Sequence, residues 1–429
     1  MRVLMVSPHP VYSPRGTPIS VFNRCLALCA LDHQVDLVTY PVGEDRRMEG
    51  LRYLRAAVPG VRSVPVGPSF RKLVLNGAVT VRSLREAVRG RGTYDVVHTH
   101  EEAGLFGPAL ARLARAPHVY DMGNDWADVL GNYGLGGRHP LTRVAGALED
   151  AVIRRSEAVI AHFPLIANRV ESVSSTPVET VFNISLEPEP DPSVVSALRR
   201  AWSADGTKVV LYTGTLESYQ GIPLLLEAMG RVSRAHSSAV LVVLGGTEAQ
   251  VEQLRQQARA LGVASRVRLE GAVPSPLVPA CMQAADVLVS PRELGNNTPL
   301  KIFSYLRSGR PIVATDILSH TQVLDRDTCV LVPPTAAGLA GGIGAVLDEG
   351  PSHRRVDQGA QALRAQFGIE QYVSGVSRAY RHVGGEDCDA GSIGRAAERI
   401  GLATAGDDVG PEYRQALAAL LEPALQVAV

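Results

Sequence analysis

Four groups of residues in this chain have the types and spacing to do chemistry. Gly295-Asn296-Asn297-Thr298-Pro299 leads into a helical pattern that starts at Leu300, with Lys301 in its first turn and Ser304 one turn on. Gly16-Thr17-Pro18 opens another helix. Each segment follows a short apolar run, so each gathers backbone N–H groups and a helix-dipole N-terminus at a strand end, where anions are attracted. Glycine allows close backbone approach, and Pro299 suits a helix start. The same segments also read as ordinary strand-to-helix turns. His98 and His100 stand in DVVHTHE, residues 95–101, and alternate onto one face of a strand. They either line a binding site or cap the strand by pairing with Glu101 or Glu102. In YDMGNDWADVLGNYGL, residues 120–135, Asp121, Asn124 and Asp125 lie beside Trp126. Those groups suit hydrogen bonding and ring stacking, or they form a helix start capped by Asn124 or Asp125 over a core tryptophan. No His/Cys/Asp cluster has metal-ligand spacing, so no metal is expected.

The elements that must position these groups alternate regularly. Apolar runs at 2–7, 35–39, 95–100, 118–121 and 158–161 are separated by helical patterns, one of them through Val21, Cys25, Leu28 and Leu31 and another around residues 103–115. After EPEPDPS, residues 187–193, the alternation restarts with strands at 209–213, 240–244, 267–269, 287–290, 312–315 and 330–332 and a helix at 223–232. Short buried strands separated by helices indicate parallel sheets covered on both faces. The acidic, proline-rich stretch between them reads as a linker. Two such domains place ligands at the carboxyl ends of the strands.

Composition narrows the classes. The chain has 429 residues, which at about 150 residues per domain suggests two or three domains. Hydrophobic residues make up 45% and charged residues 20%, which excludes a disordered chain, a coiled coil and a fibre. Basic and acidic residues both total 43, so no global field drives the chain onto nucleic acid. The five cysteines form no CxxC pair and suggest a reducing compartment. No signal peptide or run of about 18 apolar residues is evident, so a cytoplasmic location is expected. Residues 71–91 form a basic amphipathic helix, with Arg82, Arg85 and Arg89 on one side and Val74, Val81, Leu84 and Val88 on the other. It is either a solvated surface helix or a peripheral contact with the inner face of an anionic membrane.

Four segments in order, SPRGTP (13–18), DVVHTHE (95–101), LYTGTLESYQGIPLLLEA (211–228) and VLVSPRELGNNTPLKIFSYLRSGRPIVATD (287–316), resemble glycosyltransferase family 4. The resemblance covers roughly residues 1–383. It implies an α/β, GT-B fold: two Rossmann-like, doubly wound parallel-sheet domains facing each other across a cleft. The implied reaction moves a sugar from a UDP- or GDP-sugar to an acceptor, retaining anomeric configuration, without metal or other cofactor. It implies an acceptor domain at 1–187, a donor domain at 188–364 and a helix at 365–383 crossing back to the first domain. Beyond it the sequence shifts to GGEDCDAGSIG and then to an amphipathic stretch, so 384–429 reads as an extension, disordered at its start and helical over 413–427. The resemblance also assigns roles. Lys301, Asn296, Gly16 and Asp121 would act in catalysis. The donor would be held by Gly214, Thr215, Gln220, Gly271, Val273, Arg292, Glu293, Asn297, Thr298, Leu300 and Ser304. Thr17, His98, His100, Asn124 and Asp125 would meet the acceptor.

The departures matter as much. The family's phosphate-clamping arginine and lysine fall on Thr215 and Gln220, its two glutamates on Asn296 and Ser304, and a frequent histidine on Gly123. Glu293 is three residues from the first glutamate position. Lys301, one of only three lysines among 43 basic residues, is the expected replacement cation, with Arg292 second. A front-face displacement would let the departing phosphate oxygen take the acceptor's proton, so the lost histidine is not fatal. The alternatives are a non-catalytic binding protein on the same fold and an enzyme forming an S- or N-glycosidic bond. The acceptor class, whether carbohydrate, lipid, thiol or small natural product, stays open.

Overall fold

The computed structural model describes residues 1–11, 16–46, 48–61, 64, 69–131, 139–186, 189–202, 206–349, 361, 363, 365–405 and 411–421. Residues 13–15 of the first loop, 132–135 of the YDMGNDW segment, 187–188 of the linker and 422–427 of the tail, all singled out above, lie outside that set, as do the expected boundaries 187/188 and 364. The chain forms two compact units. The first comprises Met1–Leu186 and Gly368–Ala403, the second Glu187–Phe367 and Thr404–Val429.

The first unit holds a seven-stranded parallel sheet. Its strands are β1 (Arg2–Val6), β2 (Gln34–Thr39), β3 (Leu51–Arg55), β4 (Val96–His100), β5 (His118–Met122), β6 (Ala158–Ala161) and β7 (Val178–Thr180), in spatial order β3-β2-β1-β4-β5-β6-β7. Strands β1, β4, β5 and β6 are almost wholly buried, as expected of a sheet with helices on both faces. The strand order reverses between β1 and β4, which pair from Val3↔Val96 to Val6↔Thr99. In an open α/β sheet the carboxyl ends beside such a reversal form the usual ligand site. Here they carry Gly16, where the helix Gly16–Ala30 begins, and the turn Glu101–Phe106.

The second unit repeats the plan with six parallel strands: β8 (Lys208–Thr213), β9 (Ala239–Leu244), β10 (Val267–Gly271), β11 (Val287–Ser290), β12 (Ile312–Thr315) and β13 (Val330–Val332), in order β10-β9-β8-β11-β12-β13. Its reversal lies between β8 and β11. Val210, Tyr212, Leu225, Leu226, Met229, Val243, Val287 and Val313 form the core between this sheet and the helix Ile222–Ala235. Trp202, 1% exposed, donates through Nε1 to the Leu420 carbonyl at 2.8 Å and ties the helix Pro411–Leu421 into the unit.

Two local expectations change. The tail is not a single appendage with a disordered start: a helix already runs over Ala390–Ala405, burying Ala396 and Ile400, and Arg399 pairs with Asp32 at 2.6 Å. Only the helix Pro411–Leu421 belongs with the second unit. The helix Phe70–Arg89, capped by the Ser69 side chain, turns a different face inward from the one expected. It buries Leu75, Val79, Ser83, Glu86 and Ala87, while Val74, Val81 and Val88 are exposed. On that face Glu86 pairs with Arg82, one turn earlier in the same helix, at 3.1 Å.

Candidate active site

In the second unit, the carboxyl end of β8 and the helix Leu300–Ser308 converge on one amine. Lys301 Nζ donates to Gln220 Oε1 at 3.1 Å and lies 3.9 Å from the centre of the Tyr212 ring. Gln220 Nε2 in turn reaches Thr215 Oγ1 at 3.5 Å, and Tyr212 donates its hydroxyl to the Thr215 carbonyl at 2.6 Å. Gly214 stands at φ +139, and a Cβ there would come within 2.8 Å of Lys301 Nζ. The positive φ is what calls for glycine here, and its bare Cα leaves the amine its place. The amine therefore bonds Gln220 and through it is linked to Thr215, the two positions where cations were missing from the sequence.

Arg292, 6% exposed, is placed differently from expectation. Its Nε donates to the Leu294 carbonyl at 2.7 Å, Nη1 to the Asn297 carbonyl at 3.1 Å and Nη2 to Asn297 Oδ1 at 2.8 Å, with the Tyr219 ring 5.2 Å away. It braces the 293–297 loop instead of extending as a free clamp, because its fork is filled by that loop's own oxygens. Asn297 is thereby committed to Arg292, while Asn296 is exposed and its carbonyl accepts from Gln322 at 2.5 Å. Glu293 is exposed and anchored by its backbone N–H to the Tyr219 carbonyl at 3.0 Å. The Thr298 hydroxyl is buried without a partner among the described residues. Pro299 caps the helix that carries half-buried Leu300 and Ser304. Gly271 ends β10 and accepts from Gly245 N–H at 2.5 Å, two strands from Gly214, with Val273 just beyond.

Electrostatically this corner is unbalanced. Burial, followed by the neighbouring Arg292 charge, holds the Lys301 amine well below the usual lysine range. Burial also lowers Arg292. Among the described residues no carboxylate lies within ion-pair distance of either, and the helix Leu300–Ser308 adds its own positive end. Two like charges enclosed without an acid are costly unless an anion joins them.

The first unit gathers the opposite arrangement around Asp121, which is fully buried. Its Oδ2 accepts from Arg24 Nε at 2.8 Å and from His98 Nε2 at 3.2 Å, with His100 Nδ1 at 3.5 Å; Oδ1 meets His162 Nε2 at 2.5 Å. Although burial alone would raise it, Arg24 and then the histidines hold the Asp121 carboxyl well below the usual carboxylate range. Burial holds His98 and His100 below the usual histidine range. Tyr380 meets His98 Nδ1 at 2.8 Å, and the Tyr372 ring lies 5.2 Å from the Arg24 guanidinium, both tyrosines coming from the helix Ile369–Arg381. His98 and His100 do share a face, with rings 4.7 Å apart, but they pair with Asp121 and not with Glu101 or Glu102.

His98, His100 and Asp121 also bring their ligand atoms within 4.8 Å of one another, a grouping that linear spacing did not reveal. The Arg24 guanidinium already occupies the same carboxylate oxygen, so a cation there would meet a fixed positive charge. The trio does not fit a metal. Asp125 is taken up locally: Oδ1 caps the helix Trp126–Gly131 by accepting from Ala127 N–H at 2.7 Å, and Oδ2 pairs with Arg169 at 3.0 Å. Asn124 donates to Glu101 Oε1 at 3.0 Å. Gly16 is exposed with nothing within 4 Å of an added Cβ, so protein packing does not demand glycine there; Thr17 follows in the first helical turn. Arg24 and His162 are members of this site that the sequence did not single out, and Glu101 entered it only as a candidate partner of the strand histidines.

The comparisons with known proteins agree with this architecture. The family model described as glycosyl transferases group 1 matches residues 207–349, and the glycosyl transferase 4-like domain model matches residues 16–183. A phosphatidyl-myo-inositol mannosyltransferase of Mycobacterium leprae is 27% identical over 394 residues, 89% of this chain and 97% of that protein. Sucrose-phosphate synthase from Thermosynechococcus elongatus superposes with a TM-score of 0.70 at 20% identity, covering 89% of this chain and 98% of the other. HepE of Anabaena, solved in complex with UDP-glucose, superposes with a TM-score of 0.66 at 17% identity, covering 93% and 99%. With one family model on each unit and relatives spanning both, the chain belongs to glycosyltransferase family 4 and has the GT-B fold.

Proposed function

We propose that the protein transfers a sugar from a nucleotide diphosphate donor, UDP- or GDP-linked, to an acceptor with retention of configuration, using neither a metal nor any cofactor beyond the donor. The observation that carries this reading is the pair of enclosed cations, Lys301 and Arg292, with no acid beside them at the reversal of the second sheet. A diphosphate supplies the missing charge and returns the amine to its protonated form. As the bond from the anomeric carbon to the diphosphate breaks, its electron pair leaves with the phosphate oxygen. Lys301, the backbone N–H groups at the start of Leu300–Ser308 and the Thr298 hydroxyl stabilise that oxygen, while Arg292 holds the loop that presents them. The acceptor attacks from the same face, and the departing phosphate takes its proton. Gly214, Thr215, Gln220 and Ser304 surround the donor; Gly271 and Val273 meet its base. UDP-glucose in HepE supports a uridine donor.

The first unit receives the acceptor, with Gly16, Thr17 and Asn124 nearest it and the Asp121 cluster fixing the strand ends beneath. We place the enzyme in the cytoplasm, with peripheral membrane contact through the helix Phe70–Arg89. That helix exposes Phe70 (80%), Leu73 (68%), Val81 (56%) and Val88 (58%) beside the exposed Arg71, Arg85 and Arg89. Among the described residues no helix is long and apolar enough to cross a membrane. The mannosyltransferase relative, whose name specifies a phosphatidyl-inositol acceptor, makes a lipid acceptor the first to try.

Thermal shift tests the donor site. A ligand of the folded state stabilises by RT ln(1 + [L]/Kd), so UDP or GDP at 100 Kd should add about 2.7 kcal/mol. The shift should persist in EDTA. If millimolar concentrations of neither diphosphate move the melting temperature, the reading is wrong; loss of the shift in EDTA with rescue by Mg²⁺ would replace the metal-free mechanism.

A further inference from the structure

Glu101 is the first residue beyond β4, at the strand reversal of the first sheet, and its backbone stands at φ +50. A glutamate held in the left-handed region costs free energy that asparagine or glycine would avoid. Such strain persists where the surroundings over-determine it, often at functional sites. The side chain is only 7% exposed, and burial, with Glu102 adding, pushes its carboxyl well above the usual carboxylate range. Among the described residues it has no cationic partner: Arg24, His98, His100 and His162 all bond Asp121 instead. Its hydrogen bond comes from Asn124 Nδ2 to Oε1. Gly123 makes this placement possible, because a Cβ there would come within 2.5 Å of Glu101 Oε1 and 2.7 Å of His162 Nδ1. A strained backbone, a buried acid without a counter-charge and a glycine that makes room for it coincide on one carboxyl at the strand reversal, where open α/β sheets usually take their ligands.

We propose that Glu101 is the acceptor anchor of the first unit, a carboxyl that hydrogen-bonds a hydroxyl of a neutral, polyhydroxylated acceptor and sets its pose for attack. In its neutral form it offers one donor and one acceptor, the complement of a sugar or cyclitol hydroxyl. No proton is transferred to it; the attacking hydroxyl's proton still goes to the departing phosphate. The inference rests on the glycosyltransferase reading and deepens it by naming the acceptor's chemistry.

The full-length enzyme is assayed with UDP-glucose and GDP-mannose against myo-inositol, glycerol, methyl α-glucoside and sucrose, following both transfer and donor hydrolysis. Glu101→Asn should raise the melting temperature, since asparagine tolerates the left-handed backbone, yet lower the transfer-to-hydrolysis ratio about five-fold or more and raise the acceptor KM. Glu101→Gln, which keeps one donor and one acceptor, should restore most of the ratio. A purely structural glutamate would give a lower melting temperature in Glu101→Asn and an unchanged ratio, and either result overturns the proposal. So does wild-type enzyme that hydrolyses a donor while none of the four hydroxylated probes raises its turnover. Failure to bind or turn over either donor would instead sink the glycosyltransferase reading itself.

Discussion

The two sheet reversals solve opposite electrostatic problems. In the first unit a single buried carboxylate, Asp121, is saturated by Arg24 and three histidines, all from the same unit. In the second, Lys301 and Arg292 lie close together, and among the described residues their hydrogen bonds go to neutral oxygens. A chain with 43 basic and 43 acidic residues is neutral as a whole, so the difference is local. The first cluster carries its own counter-charge and can work as scaffold. Among the described residues the second lacks one, and on the proposed function the donor's diphosphate supplies it. Removing a charge should therefore harm stability in the first unit and function in the second.

The largest effect is expected at Asp121. Asp121→Asn leaves Arg24, 1% exposed, without its acid, and breaking a buried pair in this way typically costs about 3–5 kcal/mol. The two tryptophans divide between the units, Trp126 in the first and Trp202 in the second. Urea unfolding followed by Trp126 fluorescence in a Trp202→Phe background reads the first unit alone. A midpoint within about 0.5 kcal/mol of the parent would mean that the cluster is not the scaffold described.

The mirror experiment is Lys301→Met. Removing one transition-state charge donor typically lowers kcat by about 10²–10³-fold, or about 2.7–4 kcal/mol. The melting temperature should be unchanged or higher, because an amine without a counter-charge gives way to an apolar chain of similar length. Lys301→Arg should recover only part of the rate, since the broader guanidinium would crowd Gly214 and Tyr212. Near-normal kinetics in Lys301→Met would leave the helix N-terminus as the sole stabiliser.

The contrast was only half legible in the sequence. Lys301, Thr215 and Gln220 come from two compact motifs, so a pattern of loops after strands was enough to bring them together. Asp121 was visible as a polar residue at a strand end, but its partners are tertiary: Arg24 lies 97 residues away and His162 lies 41 away. Neither spacing leaves a trace in the chain. Most strands were evident as short apolar runs. β3 and β7 were not, because Leu51–Arg55 alternates with charge on an edge strand and Val178–Thr180 is only three residues long. The helix Phe70–Arg89 was recognised but its buried face was not: it packs through Leu75, Val79 and Ser83 and leaves Val74, Val81 and Val88 exposed together with Arg85 and Arg89. Its valines recur at a helical period whichever side packs, and a buried face that includes Ser83 and Glu86 is not one that apolar periodicity marks.

The smallest effect tests how far the first unit's balance extends beyond Asp121. Glu149 accepts from the Tyr120 hydroxyl at 3.0 Å and from Trp126 N–H at 3.1 Å, and burial, with Asp125 adding, pushes its carboxyl up to about 8. Its folded-state value lies above the ordinary glutamate value of about 4.3. The stability it contributes is therefore fully present below about pH 4.3 and lost as pH rises toward about 8, because the unfolded chain gives up that proton first. Glu149→Gln cannot titrate. Its amide can accept from only one of the two donors, so its stability at pH 5 should be about 1 kcal/mol lower. Between pH 5 and 8, however, its decline should be shallower by up to one proton's worth, about 1.4 kcal/mol per pH unit. The deficit should close within about one pH unit above pH 5 and then reverse in the variant's favour, levelling off above about 8. Urea midpoints in the Trp126-reporting background at four pH values measure the slope. Parallel curves for parent and variant would mean that Glu149 is ionised throughout and that the first unit tolerates a second buried charge without a cation of its own.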